Sequence, residues 1–224
     1  ISLDNANTLH GLQARLVALG GLRELSTALQ LARPALMRVL PPEKLPRLDD
    51  FYARSVTESP ELYRYALRLA SVEWLPYETL WSKASGSSWN ASANSSVVGP
   101  SAYVDRVREE LKLFVVRLDT ITVEAHLTAS LQERLWAETA ARLVDTVLDA
   151  YSRAKKVSDT GQLQRKLDVG EISSELSAAS GLRPLPRMDA LRTWLDAYYL
   201  DEMSLLPWVK ENRGILAKAH MQAL

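Results

Sequence analysis

Tyr103-Val-Asp-Arg-Val-Arg-Glu-Glu-Leu-Lys-Leu-Phe-Val-Val-Arg-Leu-Asp-Thr-Ile121 decides the fold class. Val104, Val107, Leu111, Phe114, Leu118 and Ile121 follow one another at alternating spacings of three and four, which places them on a single stripe of an α-helix. Leu131, Leu135, Val144, Val147, Leu148 and Tyr151 repeat the device in the next segment, and Thr128 is placed to cap that helix through its hydroxyl. At 1.5 Å per residue each helix spans roughly 35 to 40 Å, and a short link near 123–128 makes the two antiparallel. Ordinary bundle packing and a short coiled coil both fit such a stripe.

Working outward, leucine-rich stretches at 8–32 and 62–70 read as helix, with Gly20-Gly21 as a break in the first. Pro46 opens a helix near residue 46, Ser59-Pro60 opens the next, and a further helix covers 76–83. Residues 84–100 are small and polar and read as a flexible loop. The triplets Asn90-Ala-Ser92 and Asn94-Ser-Ser96 within it match the glycosylation pattern, which a segment this rich in Asn and Ser also produces by chance. Beyond the long hairpin, 161–179 forms a helix with Leu163, Leu167, Ile172 and Leu176 inward and Gly170 as a weak point. Gly181 stops it in a left-handed turn, and Pro184 and Pro186 keep the chain extended. Met188, Leu191, Trp194, Leu195, Tyr198 and Tyr199 make the apolar face of the helix that follows. A last helix begins near Ser204 and Pro207, carrying Trp208, Val209, Ile215 and Leu216. No strand-like alternation competes, so the expected fold is all-α: an elongated antiparallel multi-helix bundle forming a single domain over 1–224.

Composition narrows the function. The 224 residues are 47% hydrophobic and 24% charged, in the range of folded globular proteins. Twenty-seven basic side chains balance 27 acidic ones, so no global field draws the chain to nucleic acid or anionic lipid. The lack of cysteine removes disulfides, thiolate metal sites and cysteine nucleophiles. No apolar run approaches the ~20 residues of a membrane-spanning helix. Starting at Ile1 rather than Met, the sequence reads as an excised fragment.

Little of it suggests catalysis. His10, His126 and His220 stand apart from one another and from any metal-binding spacing, and read as surface residues. The neighbours Asp49-Asp50, Glu109-Glu110 and Asp201-Glu202 point about 100° apart on a helix, which suits solvated charge better than acid-base work. Glycine-rich phosphate loops, nucleophile elbows and dinucleotide fingerprints are missing. No cofactor, metal or catalytic residue is expected. Two features suit binding. Arg153, Lys155, Lys156, Arg165 and Lys166 gather around a helix end, where they either complement the helix dipole or form a basic patch for acidic lipid or an acidic protein surface. Arg183, Trp194, Tyr198, Tyr199 and Trp208 are residue types that dominate interface energetics, and equally the types that fill a core or order a turn.

The run Ala150-Tyr-Ser-Arg-Ala-Lys-Lys-Val-Ser-Asp-Thr-Gly-Gln-Leu-Gln-Arg-Lys-Leu-Asp168, followed by Leu182-Arg-Pro-Leu-Pro186, Ala197-Tyr-Tyr-Leu200 and Trp208-Val-Lys-Glu-Asn-Arg213, resembles the C-terminal domains of the syndetin family. Tyr103-Val-Asp105 and Leu48-Asp-Asp-Phe-Tyr-Ala-Arg-Ser-Val56 extend the similarity, so that it covers residues 12–216. The 84–100 loop looks longer than the family's connector, and family members are expected to continue past Leu224 with a further helix. The resemblance implies a non-enzymatic subunit of the endosome-associated recycling protein complex, built from helical rods. Its expected partners are the three subunits shared with the Golgi-associated retrograde protein complex, together with membrane-fusion proteins. It also implies a cytoplasmic place at recycling-endosome or trans-Golgi membranes. A peripheral domain binding anionic lipid through the basic patch is the alternative reading.

Overall fold

The computed structural model describes residues 10–56, 64, 67–68, 71, 75–87, 89–90, 99–154 and 156–224. Among these the chain is helical throughout, without strands. The helices are α1 (His10–Val39), α2 (Leu45–Phe51), α3 (Tyr77–Ser85), α4 (Ala102–Ala125), α5 (Ala129–Ser152), α6 (Asp159–Ser180), α7 (Met188–Ala197), α8 (Glu202–Asn212) and α9 (Lys218–Met221). The expected helix starts at 59–60 and 62, and residues 91–98 of the expected loop, lie outside the described residues. The described residues form two compact units. One holds those up to residue 71 together with 118–135, and the other those of 75–117 and 136–224.

In the first unit α1 corrects the sequence reading. It runs unbroken through Gly20-Gly21 and through Pro34, ending at Val39 rather than near residue 32. A helical glycine costs about 1 kcal/mol against alanine, a penalty that tertiary packing outweighs here. Leu16 and Leu19 are buried just before the pair, and a Cβ on Gly20 would sit 3.7 Å from Leu131, within ordinary contact. A single π-turn at Tyr52–Val56 follows α2 and is tied to α1 from two sides. The Tyr52 hydroxyl donates to the Leu29 carbonyl at 2.6 Å, and the Ser26 hydroxyl to that of Val56 at 2.7 Å.

The second unit contains the larger core. Every position named for the stripes of α4 and α5 is buried, Leu118, Ile121, Leu131 and Leu135 in the first unit and Val104, Val107, Leu111, Phe114, Val144, Val147, Leu148 and Tyr151 in this one. Within this unit, Phe114 meets Trp136 edge-on with ring centroids 4.4 Å apart, and Tyr103 meets Tyr151, the pairing of an antiparallel hairpin. Thr128 caps α5 as expected, its hydroxyl accepting from the Leu131 amide at 3.3 Å. Arg108 on α4 donates to Glu175 on α6 at 2.6 Å, which holds the third long helix against the hairpin.

α6 departs from its predicted face. Ile172 and Leu176 are buried, but Leu163 is 56% exposed, and Gln162, Arg165, Asp168 and Val169 point inward instead. The inward set keeps helical spacing, and its polar members have partners that an apolar stripe would not need. Gln162 Nε2, for one, donates to the Leu195 carbonyl at 2.6 Å. Ser158 caps the helix by accepting from Gly161 N at 3.1 Å. At the other end Gly181 adopts φ +70° and returns its amide to Ser177 O at 3.0 Å, the left-handed stop that the sequence predicts.

Candidate interaction surface

The residues singled out for binding lie on or around α6, α7 and α8, and the fold divides them. Trp194 is 3% exposed. Its indole N–H donates to the His220 carbonyl at 2.8 Å, which fastens α9 to α7. His220 is itself buried and its Nε2 pairs with Asp149, so the surface reading of this histidine is overturned; His126 is exposed. The apolar character of α7 is thus spent on the core as far as Leu195 and Ala197, where the helix ends.

Arg165 is the second correction. At 2% exposure it cannot serve a basic patch. Its guanidinium carbon lies 4.8 Å from the Tyr151 ring centroid, 5.0 Å from that of Trp89 and 6.0 Å from that of Trp194, and Nη2 donates to the Tyr151 carbonyl at 3.1 Å. Aromatic faces replace part of the lost hydration of the cation. Burial lowers its pKa to about 10, which still leaves it charged at neutral pH. Of the other basic residues, Arg153 lies 5.6 Å over Trp81, Lys156 is exposed, and Lys166 pairs with Asp196 at 2.6 Å. Lys155 lies outside the described residues. The five therefore do not make one open basic face.

Around this cage lies a buried polar cluster that the sequence does not announce. Asp168 Oδ1 accepts from Ser101 N at 2.8 Å and Gln164 Nε2 at 2.9 Å. Burial raises its pKa, an effect that the Ser101 and Gln164 bonds partly offset. Burial likewise pushes the phenols of Tyr103 and Tyr151 upward. Trp89, expected in a flexible loop, is part of this core: it meets Tyr151 edge-on at 5.1 Å, and its carbonyl accepts from Ser158 N at 2.9 Å. A lone tryptophan among Ser and Asn is the signal that finds it, since a solvated linker has no need of an indole.

Tyr198 and Tyr199 reach the surface, just past the end of α7. The Tyr198 hydroxyl donates to the Val157 carbonyl at 3.1 Å, its ring meets that of Tyr199 edge-on at 5.3 Å, and Lys166 Nζ lies 4.5 Å over Tyr199. Tyr199 is 51% exposed, and Leu200, Leu206 and especially Met203, at 85%, are exposed after it. These last three are binding-type side chains that the sequence reading passed over. They continue on α8, which begins earlier than predicted because Asp201 caps it, its carboxylate accepting from Ser204 N at 2.8 Å. Hydrogen bonds from the Ser204 side chain and from this amide hold the Asp201 pKa below its ordinary value. Pro207 falls inside this helix rather than in its first turn, and Trp208 is half-buried. Arg183 lies elsewhere, exposed on a groove of about 510 Å³ lined in part by Gly170, Ser173, Ser177, Met188 and Arg192, where Arg192 donates to Ser173 at 3.1 Å.

Among the described residues no three His, Cys, Asp or Glu side chains are grouped to hold a metal, and no helix is long and apolar enough to cross a membrane. The neighbouring carboxylates instead serve ion pairs and a cap: Asp49 with Arg33, Asp50 with Arg54, Glu109 and Glu110 with Arg106, and Asp201 at the start of α8.

Fold and surface together define an all-α bundle domain with its aromatic residues divided between core and solvent. The chain belongs to the family of syndetin C-terminal domains, whose family model matches residues 9–224. It is 28% identical over 219 residues to the syndetins of Mus musculus and Gallus gallus, a match covering 97% of this chain. The same stretch spans only 22% and 23% of those two proteins. No solved structure gives a significant match.

Proposed function

We propose that this chain is a non-enzymatic protein-interaction domain of a multisubunit vesicle-tethering complex that returns endosomal cargo to the plasma membrane. The observation that carries the reading is the family match over residues 9–224. Its partners on this reading are the subunits that the two related tethering complexes share, with membrane-fusion proteins as further contacts, and its place is the cytoplasmic face of recycling-endosome or trans-Golgi membranes. The exposed side chains of Tyr198, Tyr199, Leu200, Met203 and Leu206, close together along the chain, support it, because exposed large apolar side chains are costly in water and aromatic residues and methionine are enriched where proteins meet. Trp194 contributes through the core that holds this surface, and Arg183 through the groove.

The test is capture of the shared subunits by the full-length parent carrying Tyr199→Ser with Met203→Ser. The expected result is at least a tenfold loss of affinity, about 1.4 kcal/mol or more, with thermal stability unchanged because both side chains are exposed. Rescue of receptor recycling should fail in parallel. Full capture and full rescue by a parent lacking this domain would remove the reading.

A further inference from the structure

Ala18, Leu22, Leu25, Leu29, Ala32, Leu36 and Val39 follow one another on α1 at spacings of four and three without interruption, the repeat of a helix built to lie along another helix. Leu22, Leu25, Leu36 and Val39 are exposed, Leu25 at 56%, and Leu29 and Ala32 are half-buried. The two flanks of this seam differ. On one, Ser26 and Arg33 are engaged by the chain's own Val56 and Asp49. On the other, Gly21, Ala28 and Ala35 recur every seven residues, all exposed, and offer a smooth surface on which a second helix can approach closely.

We infer that this face of α1 pairs antiparallel with α1 of a second copy of the chain. The argument is its self-complementarity. With the two-fold axis level with residues 27 and 28, Leu22 of one copy lies against Ala32 of the other, Leu36 against Ala18, and Leu25 against Leu29. Both alanines of the seam thus meet a leucine, in the reciprocal pairing of a two-fold contact, while Val39 lies past the paired stretch, level with Arg15. The small flank meets itself, Gly21 opposite Ala35 and Ala28 opposite Ala28. Antiparallel helices also set their dipoles head to tail. A lipid surface fits less well: α1 has no Trp, Tyr or Phe to anchor it at an interface, and a membrane makes no demand for small residues at a seven-residue repeat. The paired strip, residues 18–36, is one helix wide and about 28 Å long, smaller than a standard interface, so a weak, readily dissociating dimer is expected.

Sedimentation equilibrium of the 224-residue chain tests this, with twice the monomer mass expected as concentration rises towards about 200 µM. Leu25→Glu should weaken association at least tenfold with the helix content of the chain unchanged. The chain has no cysteine, so Ala28→Cys provides a single thiol beside the two-fold axis. It should form an interchain disulfide under mild oxidation, while Thr27→Cys, facing away from the seam, should not. A chain that is monomeric throughout, a dimer indifferent to Leu25→Glu, or equal cross-linking at 27 and 28 would each overturn the proposal. So would a monomer whose binding to phosphatidylserine vesicles is lost with Leu25→Glu, which would give the face to lipid.

Discussion

Gly161 shows how much one missing methyl group decides. It sits in the first turn of α6, where a Cβ would lie 1.9 Å from the Trp89 carbonyl oxygen and 2.7 Å from its carbon. The collision is with backbone, so no side-chain rotation relieves it. Gly161→Ala is expected to destabilise the chain by about 3 kcal/mol by forcing out the Trp89 segment, measured by urea unfolding. A cost below about 0.5 kcal/mol would mean that Trp89 is not seated there. Asp168 supplies a test in pH. Its native pKa is raised, first by burial, so the native state holds the proton more tightly than the unfolded chain. Its contribution to stability is therefore present below the ordinary carboxylate pKa and is lost as pH rises through the native value. Asp168→Asn removes this titration. The stability of the variant relative to the parent should rise between about pH 4 and pH 7, and urea midpoints that stay parallel over that range would contradict it.

At the scale of the element, α1 and α6 make the same point from opposite sides. The pattern of α1 contains two adjacent glycines and a proline, and local propensity alone stops it, yet contacts remote in sequence carry it to Val39. Within the chain itself Gly21 is then a cost that its surroundings do not require, since a Cβ there meets no atom within 4 Å. Gly21→Ala should stabilise the chain by about 0.5–1 kcal/mol, read as a higher melting temperature. A fall would mean that this part of the chain is not helical. α6 is helical as predicted but turned, because a leucine count cannot register that Arg165 has three aromatic rings waiting for it.

At the scale of the whole molecule, function on the proposed reading depends on what is left outside the two cores. Of the five residues picked for binding, Trp194 is taken by the core, Trp208 is half-buried, and Arg183, Tyr198 and Tyr199 reach solvent. The capture experiment separates these roles: changes at Tyr199 and Met203 should alter binding and leave the melting temperature alone, while changes at Trp194 should lower stability first. The sequence by itself determined the helical class, the α4–α5 hairpin with its buried stripe, the Thr128 cap, the Gly181 stop and, through the blocks at 150–168 and 182–213, the family. Those are properties of periodicity, capping chemistry and residue order, all local along the chain. Only the tertiary structure decided that Trp89, Arg165 and Asp168 are interior, that His220 is buried against Asp149, and that Met203 and four large apolar residues of the α1 seam, Leu22, Leu25, Leu36 and Val39, are exposed. Burial depends on which distant residues arrive, and an arginine or a leucine carries no record of its neighbours in its own position along the chain.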